Sequence, residues 1–591
     1  MRHLIPALFV FTIALHAASP LEDKGRPVSL DPARTPEETA RLMKVPPGFR
    51  VQVVAGEPEL VQPIAYTTDD RGRLWVVTNT NYPTCPGEPK DSILIFEDFD
   101  AEGRAHKRTV FYDKLTFASG IAVGFGGVYV GAPPNLLFFP DKNGDDKPDS
   151  EPVKLLDGWG NEDTHETLND FTWGPDGWLY GTQGVFTFSN VGKPGAPDSE
   201  RVKCNAGVWR FHPTRHVFER YCEGVSNQWG LDWNDHGEAV FAACVIPHMW
   251  QAIPGARYSR QGGQHENKYT YADIQTIAWG RYEKAAYCGA MFYLGGTWPA
   301  EWRDAFFFHD IHMNKQRAER MIRDGSGLRS EKLTDFVDSG DKWFRGLSPQ
   351  LAPDGNVYVN DWYDRVPCHQ QREFTDRTNG RIYKISHEGT KPVTVDLAKA
   401  TEAALVQHQQ SSNEWIVRHA RRLLQERGLT AEGTAALEQM LADDRDDTRQ
   451  LRALWALHCC GALRESTGLS ALRAKSEYVR GWAALLLCES ESPSEPVVAA
   501  LASLAKADPS PVVRRQIASA AQRIPIASRW PVLFALADHA EDAADRNLPL
   551  LLWYAAEPAV AADPARAAEL LVACKLPKIQ EYISRRMASG K

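Results

Sequence analysis

The sequence predicts a multidomain β plus α protein, a six-bladed β-propeller over residues 40–390 followed by an α-helical, HEAT-like solenoid over 400–591. Three observations carry that expectation. A strand–turn–strand unit recurs through the first two thirds of the chain, a longer segment repeats there at an offset of 43 residues, and near residue 400 the composition turns to Ala, Leu and Arg at helical spacing.

With 591 residues the chain exceeds what one hydrophobic core holds, about 250–300 residues, so more than one domain is expected. Its 43% apolar and 24% charged residues exclude a disordered or fibrous chain. The net charge of −9, without a long basic run, argues against a nucleic-acid partner and favours a small molecule. At the N-terminus a basic Met1-Arg2-His3, an apolar run from Leu4 to Leu15 and the small residues Ala17, Ala18 and Ser19 form the three-part pattern of a signal peptide over 1–18. Export to the periplasm or cell envelope follows. Ten cysteines, none in C-x-x-C spacing, exclude a c-type haem attachment and give no zinc pattern. Cys204 and Cys222 flank one hairpin, where they can pair or remain buried thiols.

The repeats place the blades in order. Ile93–His106 aligns with Leu136–Asp149, each an apolar strand followed by a turn with oxygen-bearing side chains at alternate positions, and the 43-residue offset suits one four-stranded blade. The shorter strand–turn–strand unit occurs at Tyr66–Val76, Ile121–Val130, Phe171–Tyr180, Leu231–Phe241 and Leu351–Val359. Gly72, Gly127, Gly177, Gly237 and Gly355 are placed to supply positive φ in its turns. One interval is about twice the others, and Ala290–Phe308, two apolar strands without a glycine turn, fills it. Six blades result, with seven as the alternative count. The propeller ends near Gly380–Ser386, and Pro, Thr and Gly at 389–394 form a linker.

Beyond the linker, Glu414–Arg418, Asp447–Arg452, Glu477–Arg480 and Pro511–Arg514 recur at roughly 32 residues, the spacing of paired helices that stack because neither buries its apolar face alone.

Several groups can carry chemistry. Asp141, Asn143, Asp145 and Asp149, with Lys147 between them, place oxygens at the spacing of a calcium loop, without the bidentate Glu that would close it. His165, in Thr164-His165-Glu166-Thr167 ahead of a blade hairpin, is the candidate catalytic base, because a neutral imidazole on a propeller loop can take an alcohol's proton. Asn227, Gln228, Trp229, His248, His265, His312, Lys342, Trp343, Asp361 and Tyr363 come from loops of different blades. If those loops share a face, they build a pocket for a flat cofactor or a sugar. His248, His265, His309 and His312 offer an alternative transition-metal site.

The stretches 163–181, 205–219, 226–233, 243–248 and 376–385 resemble the PVC-type membrane-bound dehydrogenases of planctomycete and verrucomicrobial bacteria. The N-terminal domain of that family is similar to soluble quinoprotein glucose and aldose-sugar dehydrogenases, and several of its members carry HEAT-like repeats after the propeller. The resemblance implies a six-bladed propeller that binds pyrroloquinoline quinone and calcium and oxidises a sugar or related alcohol, with His165 near the place of the family's catalytic base and Arg377 among the cofactor-binding residues. Where those enzymes have an Arg-Asn pair this chain has Ser226-Asn227. With no C-x-x-C-H, electrons must pass to an external acceptor, such as a protein docked on the solenoid. Two other functions stay open: a metal-dependent carbohydrate lyase or hydrolase, and a non-catalytic glycan- or protein-binding propeller with a solenoid docking domain.

Overall fold

The structure is a computed structural model that describes residues 29, 31–283, 286–368 and 374–589. The expected signal peptide lies outside the described residues. Six sheets follow one another around a ring, confirming a six-bladed propeller. Blade 1 is Pro63–Thr68, Leu74–Thr78, Asp91–Phe99 and Ala105–Leu115; blade 2 is Gly120–Gly124, Gly127–Ala132, Asn135–Pro140 and Val153–Leu156. Blade 3 is Asn169–Trp173, Leu179–Gln183, Gly207–Phe211 and Phe218–Val225, joined at its edge by the parallel strand Arg257–Arg260. Blade 4 has three strands, Asn227–Trp233, Ala239–Cys244 and Met249–Ala252, and blade 5 has Tyr287–Phe292, Ala305–Asp310, Lys315–Asp324 and Gly327–Asp338. Blade 6 is Gly346–Leu351, Val357–Asp361 and Arg381–His387, and Phe49–Gly56 completes it by pairing antiparallel with Arg381–His387, so the two ends of the propeller close the ring.

The first strand of each blade is the innermost, and these six strands pack against one another in a closed circle. Each expected strand–turn–strand unit is an inner hairpin. Two turns differ from expectation. In blade 2 the positive φ falls on Gly126 (75°), one residue before Gly127, which already belongs to the strand. In blade 5 the connection does contain a glycine with positive φ, Gly296 at 74°, inside a long loop from Tyr293 to Asp304 held by Trp298 stacked on Tyr293. All ten cysteines are free thiols, Cys204 and Cys222 among them.

From Glu402 to Ser589 the described chain is helical. The helices Glu414–Arg427, Asp447–Cys459, Glu477–Leu487, Pro511–Ala521 and Leu548–Ala562 pack successively into one layer, with the alternate helices behind them. Their starts explain the recurring sequence unit: side chains of Asn413, Asp446 and Ser510 accept hydrogen bonds from the first free backbone N–H groups, and Pro511 needs none of its own. The front layer faces the inner-hairpin turns of the propeller, and one hydrophobic core runs through both parts.

That contact is charged as well as apolar. Arg418 donates to Asp232 at 2.7 Å, Arg515 to Glu238 at 2.6 Å and Arg523 to Glu219 at 3.0 Å, while the His419 ring nitrogen lies 2.7 Å from Asp70. Burial works to raise the Asp70 carboxyl, but Arg422 and His419 outweigh it and hold it far below the usual carboxylate range. Trp415 Nε1–H donates to Thr68 Oγ1 at 2.7 Å. Trp415, Arg418, His419 and Arg422 thereby cover the ends of the inner strands, leaving behind them a space of about 130 Å³. The helices close one end of the propeller channel.

Candidate active site

The opposite ends of the same inner strands open into a cavity of about 560 Å³. Its floor is formed where those strands begin, at Ile64, Ser119, Thr167, Asn227, Cys288 and Leu347, and its walls come from the loops between blades. Tyr82, Phe117 and Trp362 form an aromatic side, with the Tyr82 ring 6.2 Å from Phe117, 6.0 Å from Trp362 and 6.4 Å from His165.

The loop carrying His165 joins blade 2 to blade 3 and is fixed along its length. Thr187 Oγ1 donates to the Asp163 carbonyl at 3.0 Å, Gly184 N–H to the Glu166 carbonyl at 2.8 Å, and Ser119 Oγ to the carbonyls of Thr167 and Leu168 at 2.8 and 3.0 Å. Glu166, Leu168 and Asp170 all have positive φ, 41°, 51° and 55°. Non-glycine residues pay for that conformation only where surrounding contacts enforce it, and such residues cluster at functional sites.

His165 Nδ1 is 2.5 Å from Asp163 Oδ1. Burial favours the neutral ring, but the hydrogen bonds to Asp163 and Cys368 and the negative charge nearby outweigh it, and the imidazole is pushed up to about 10. At neutral pH it is a cation that donates. Beside it, burial pushes the Glu166 carboxyl up to about 8 against the pull of His165. Arg345 also lines the cavity; its guanidinium donates to the main-chain carbonyls of Phe344 and Arg365 at 2.9 and 3.0 Å, and its Nε has no partner. Cys244, Cys288 and Cys368 complete the wall, and burial raises the Cys244 and Cys288 thiols well above their ordinary value.

The structure brings together His165, Asn227, Trp229 and His312, all of which line this cavity. Trp229 is oriented by its Nε1–H donating to Ser348 Oγ at 3.1 Å, and Asn227 Oδ1 accepts from Val185 N–H at 3.1 Å. The other expected pocket residues lie elsewhere. Gln228 points the opposite way along its strand and donates to the Gly224 carbonyl at 2.6 Å. His248 is enclosed between blades 4 and 5, its Nε2 2.7 Å from Glu319 Oε1, and His265 sits between Glu223 and Asp273. Lys342 is exposed, its Nζ 3.1 Å from Asp31, and Trp343 is buried beneath the N-terminal segment, donating to the Asp31 carbonyl at 3.0 Å. Asp361 accepts from the backbone of Arg345 and Tyr363, the Tyr363 hydroxyl donates to Asp341 at 3.0 Å, and Arg377 pairs with Asp364 and the Tyr82 carbonyl.

The oxygen-bearing loop 141–149 leads to the outer strand of blade 2. Asp141, Asn143 and Asp145 accept from backbone N–H groups at Asp145 and Lys147, and Asp149 accepts from Lys142 N–H at 2.8 Å. Among the described residues no three His, Cys, Asp or Glu side chains are disposed to hold a metal ion. His248, His265, His309 and His312 are dispersed, with His309 enclosed so deeply that burial lowers its ring to about 3.

Sequence reasoning missed Tyr82, Glu166, Arg345 and the three cavity cysteines. Only Glu166 left a signal, as the immediate neighbour of His165.

No curated protein matches the chain. A family model described as a domain of unknown function, DUF7133, matches residues 35–389. Among solved structures the chain is similar to a putative oxidoreductase (glucose dehydrogenase) from Thermus thermophilus, at 16% identity over 57% of this chain and 100% of the other, with a TM-score of 0.39. It is also similar to the PQQ domain of pyranose dehydrogenase from Coprinopsis cinerea, at 13% identity over 58% and 97% of the two chains and a TM-score of 0.39. A PQQ-bound aldose sugar dehydrogenase from Streptomyces coelicolor matches at 11% identity over 58% and 100%, with a TM-score of 0.37.

Proposed function

The chain belongs to the DUF7133 family, and we propose that it is an exported dehydrogenase that oxidises a hydroxyl of a sugar or related alcohol in the cavity, using pyrroloquinoline quinone and an external electron acceptor. The observation that carries this reading is the cavity itself: a site open at one end only, with an aromatic side facing hydrogen-bonding and cationic groups. Asn227 and Gln261, whose carbonyl oxygens accept from Val185 N–H and Ser226 Oγ, supply the amide N–H donors that a polyol needs, and the rings of Tyr82 and Trp362 supply the faces on which sugars and flat heterocycles stack.

The residues present fit the quinone, which is planar, anionic and carboxylate-bearing. Arg345, whose guanidinium donates only to main-chain carbonyls, and the protonated His165 would hold its carboxylates. The chemistry it supplies when bound is acceptance of the electron pair released from the carbinol carbon. The chain's own residues orient the alcohol between the aromatic side and the His165 loop, and the helices exclude water from the far end of the channel. Calcium has no comparable support, because Asp141, Asp145 and Asp149 are not disposed together as a metal-ligating group. The helical part, read as HEAT-like repeats, would serve as the frame that fixes the closed end and as a surface for a protein partner.

The test is titration of the purified protein with the quinone, following tryptophan quenching, and then dye reduction with a panel of sugars and polyols. Saturable binding and reduction lost in Arg345→Ala and His165→Ala are expected. Absence of quinone binding by a folded protein overturns the proposal.

A further inference from the structure

We propose that Glu166, rather than His165, takes the proton from the substrate's hydroxyl group. The inference rests on the dehydrogenase reading above and adds to it the identity of the base.

His165 commits Nδ1 to Asp163 at 2.5 Å, and Asp163 together with Cys368 pushes the imidazole up to about 10, so at neutral pH the ring holds a proton where a base must accept one. Glu166 lines the same cavity; its carboxyl lies beside the Cys244 thiol, which donates to the Tyr287 carbonyl, and its Oε2 is buried without a hydrogen-bond partner. A buried carboxylate oxygen left unpaired is costly; Glu319 Oε2 and Asp361 Oδ2 are unpaired as well, but among the described residues with such an oxygen Glu166 is the one that lines the cavity. The backbone that carries the side chain is fixed. The Glu166 carbonyl is anchored by Gly184 N–H, the next two carbonyls by Ser119, and the backbone at Glu166 is locked at φ 41°.

The groups facing Glu166 come from four places: His165 and Asp163 on its own loop, Cys244 from blade 4, Cys288 from blade 5 and Tyr82 from the blade 1 loop. Only His165 brings a positive charge. Burial raises the thiols and the Tyr82 phenol, so they stay neutral and do not compete for the role. Burial likewise lifts the carboxyl to about 8, a value at which it exchanges protons close to physiological pH. In the step itself the O–H bond breaks and its proton goes to Glu166 Oε2. The C–H electron pair leaves to the quinone-class acceptor as the C=O bond forms. His165, already protonated, donates a hydrogen bond to the substrate or cofactor and steadies developing negative charge.

Two measurements on the full chain test this. In infrared difference spectra of the quinone-free protein, a protonated-carboxyl C=O band is expected to disappear as pH rises through about 8, and to be missing in Glu166→Gln. In the quinone-loaded protein, Glu166→Gln is expected to lower the rate of a single turnover by roughly 100-fold or more and to abolish its rise with pH, while quinone affinity stays within about twofold. Glu166→Asp should restore part of the rate, which a merely structural role would not predict. Absence of a band that titrates near 8 and is lost in Glu166→Gln overturns the proposal, as does a pH-dependent rate that survives Glu166→Gln in a protein whose circular dichroism spectrum is unchanged. Failure of the wild type to bind quinone overturns the dehydrogenase reading and this step with it, whatever the infrared titration shows.

Discussion

The two ends of the propeller channel are built on opposite principles. At the closed end, Asp70, Asp232 and Glu238 each meet a cation from the helices, and the aromatic side chain of Trp415 is hydrogen-bonded as well as buried. At the open end Glu166 Oε2 and Arg345 Nε have no partner, and Glu166, whose side chain lines the cavity, sits in a left-handed conformation. The same six strands reach both ends, so the difference lies in what was added to them. Unpaired atoms occur at the closed end too, Arg515 Nε among them, but there the three carboxylates have their cations, whereas at the open end the unpaired atoms face a cavity that a ligand can fill.

The largest effect is expected from breaking the closed end. Arg515→Ala leaves Glu238 buried and without its cation, which should cost about 3–5 kcal/mol in denaturant unfolding, while ligand affinity at the open end is unchanged wherever the protein is folded. Asp163→Asn sharpens the other side. The raised His165 value stabilises the fold fully below the ordinary imidazole range, and that contribution is lost as pH rises through about 10. The melting temperature of Asp163→Asn should therefore fall furthest below wild type near pH 6, with the gap narrowing toward pH 10 in calorimetric scans.

Glu166→Gln should act in the reverse sense. A carboxyl raised to about 8 makes wild type lose stability between the ordinary Glu range and pH 8, and the amide removes that loss, so the variant should match wild type at pH 5 and melt higher at pH 8.5. Equal melting points at both pH values would mean that the carboxyl is not desolvated. The smallest effect is expected at Lys342→Ala, whose exposed pair with Asp31 contributes within about 0.5 kcal/mol, with no change in quinone titration.

The propeller was legible because its inner hairpins repeat: each must alternate apolar faces and turn tightly, and those demands leave local marks. The active-site cavity was legible only where such a mark existed. His165 and Asn227 stood next to recognisable hairpins, but Tyr82, Arg345 and Cys288 reach the cavity from separate blades, and no spacing along the chain records which loops meet. Gln228 shows the limit most plainly. It lies between two cavity residues, and the two-residue alternation of a strand turns it away from them. Lys342 and Trp343 looked like pocket residues by type, yet their partners belong to the N-terminal segment around Asp31, which sequence gave no reason to place there.

The pairing of Phe49–Gly56 with Arg381–His387 has a consequence for how the molecule is made. During synthesis the early strand has no neighbour until more than three hundred further residues have emerged, so the ring latches late and the contact is among the slowest to form. The helices that cover the channel are translated after the latch, and assembly ends at the closed face. A chain cut short before residue 381 would keep an unpaired β-edge on blade 6, open to pairing with another copy, so premature termination should yield aggregates in place of a smaller propeller.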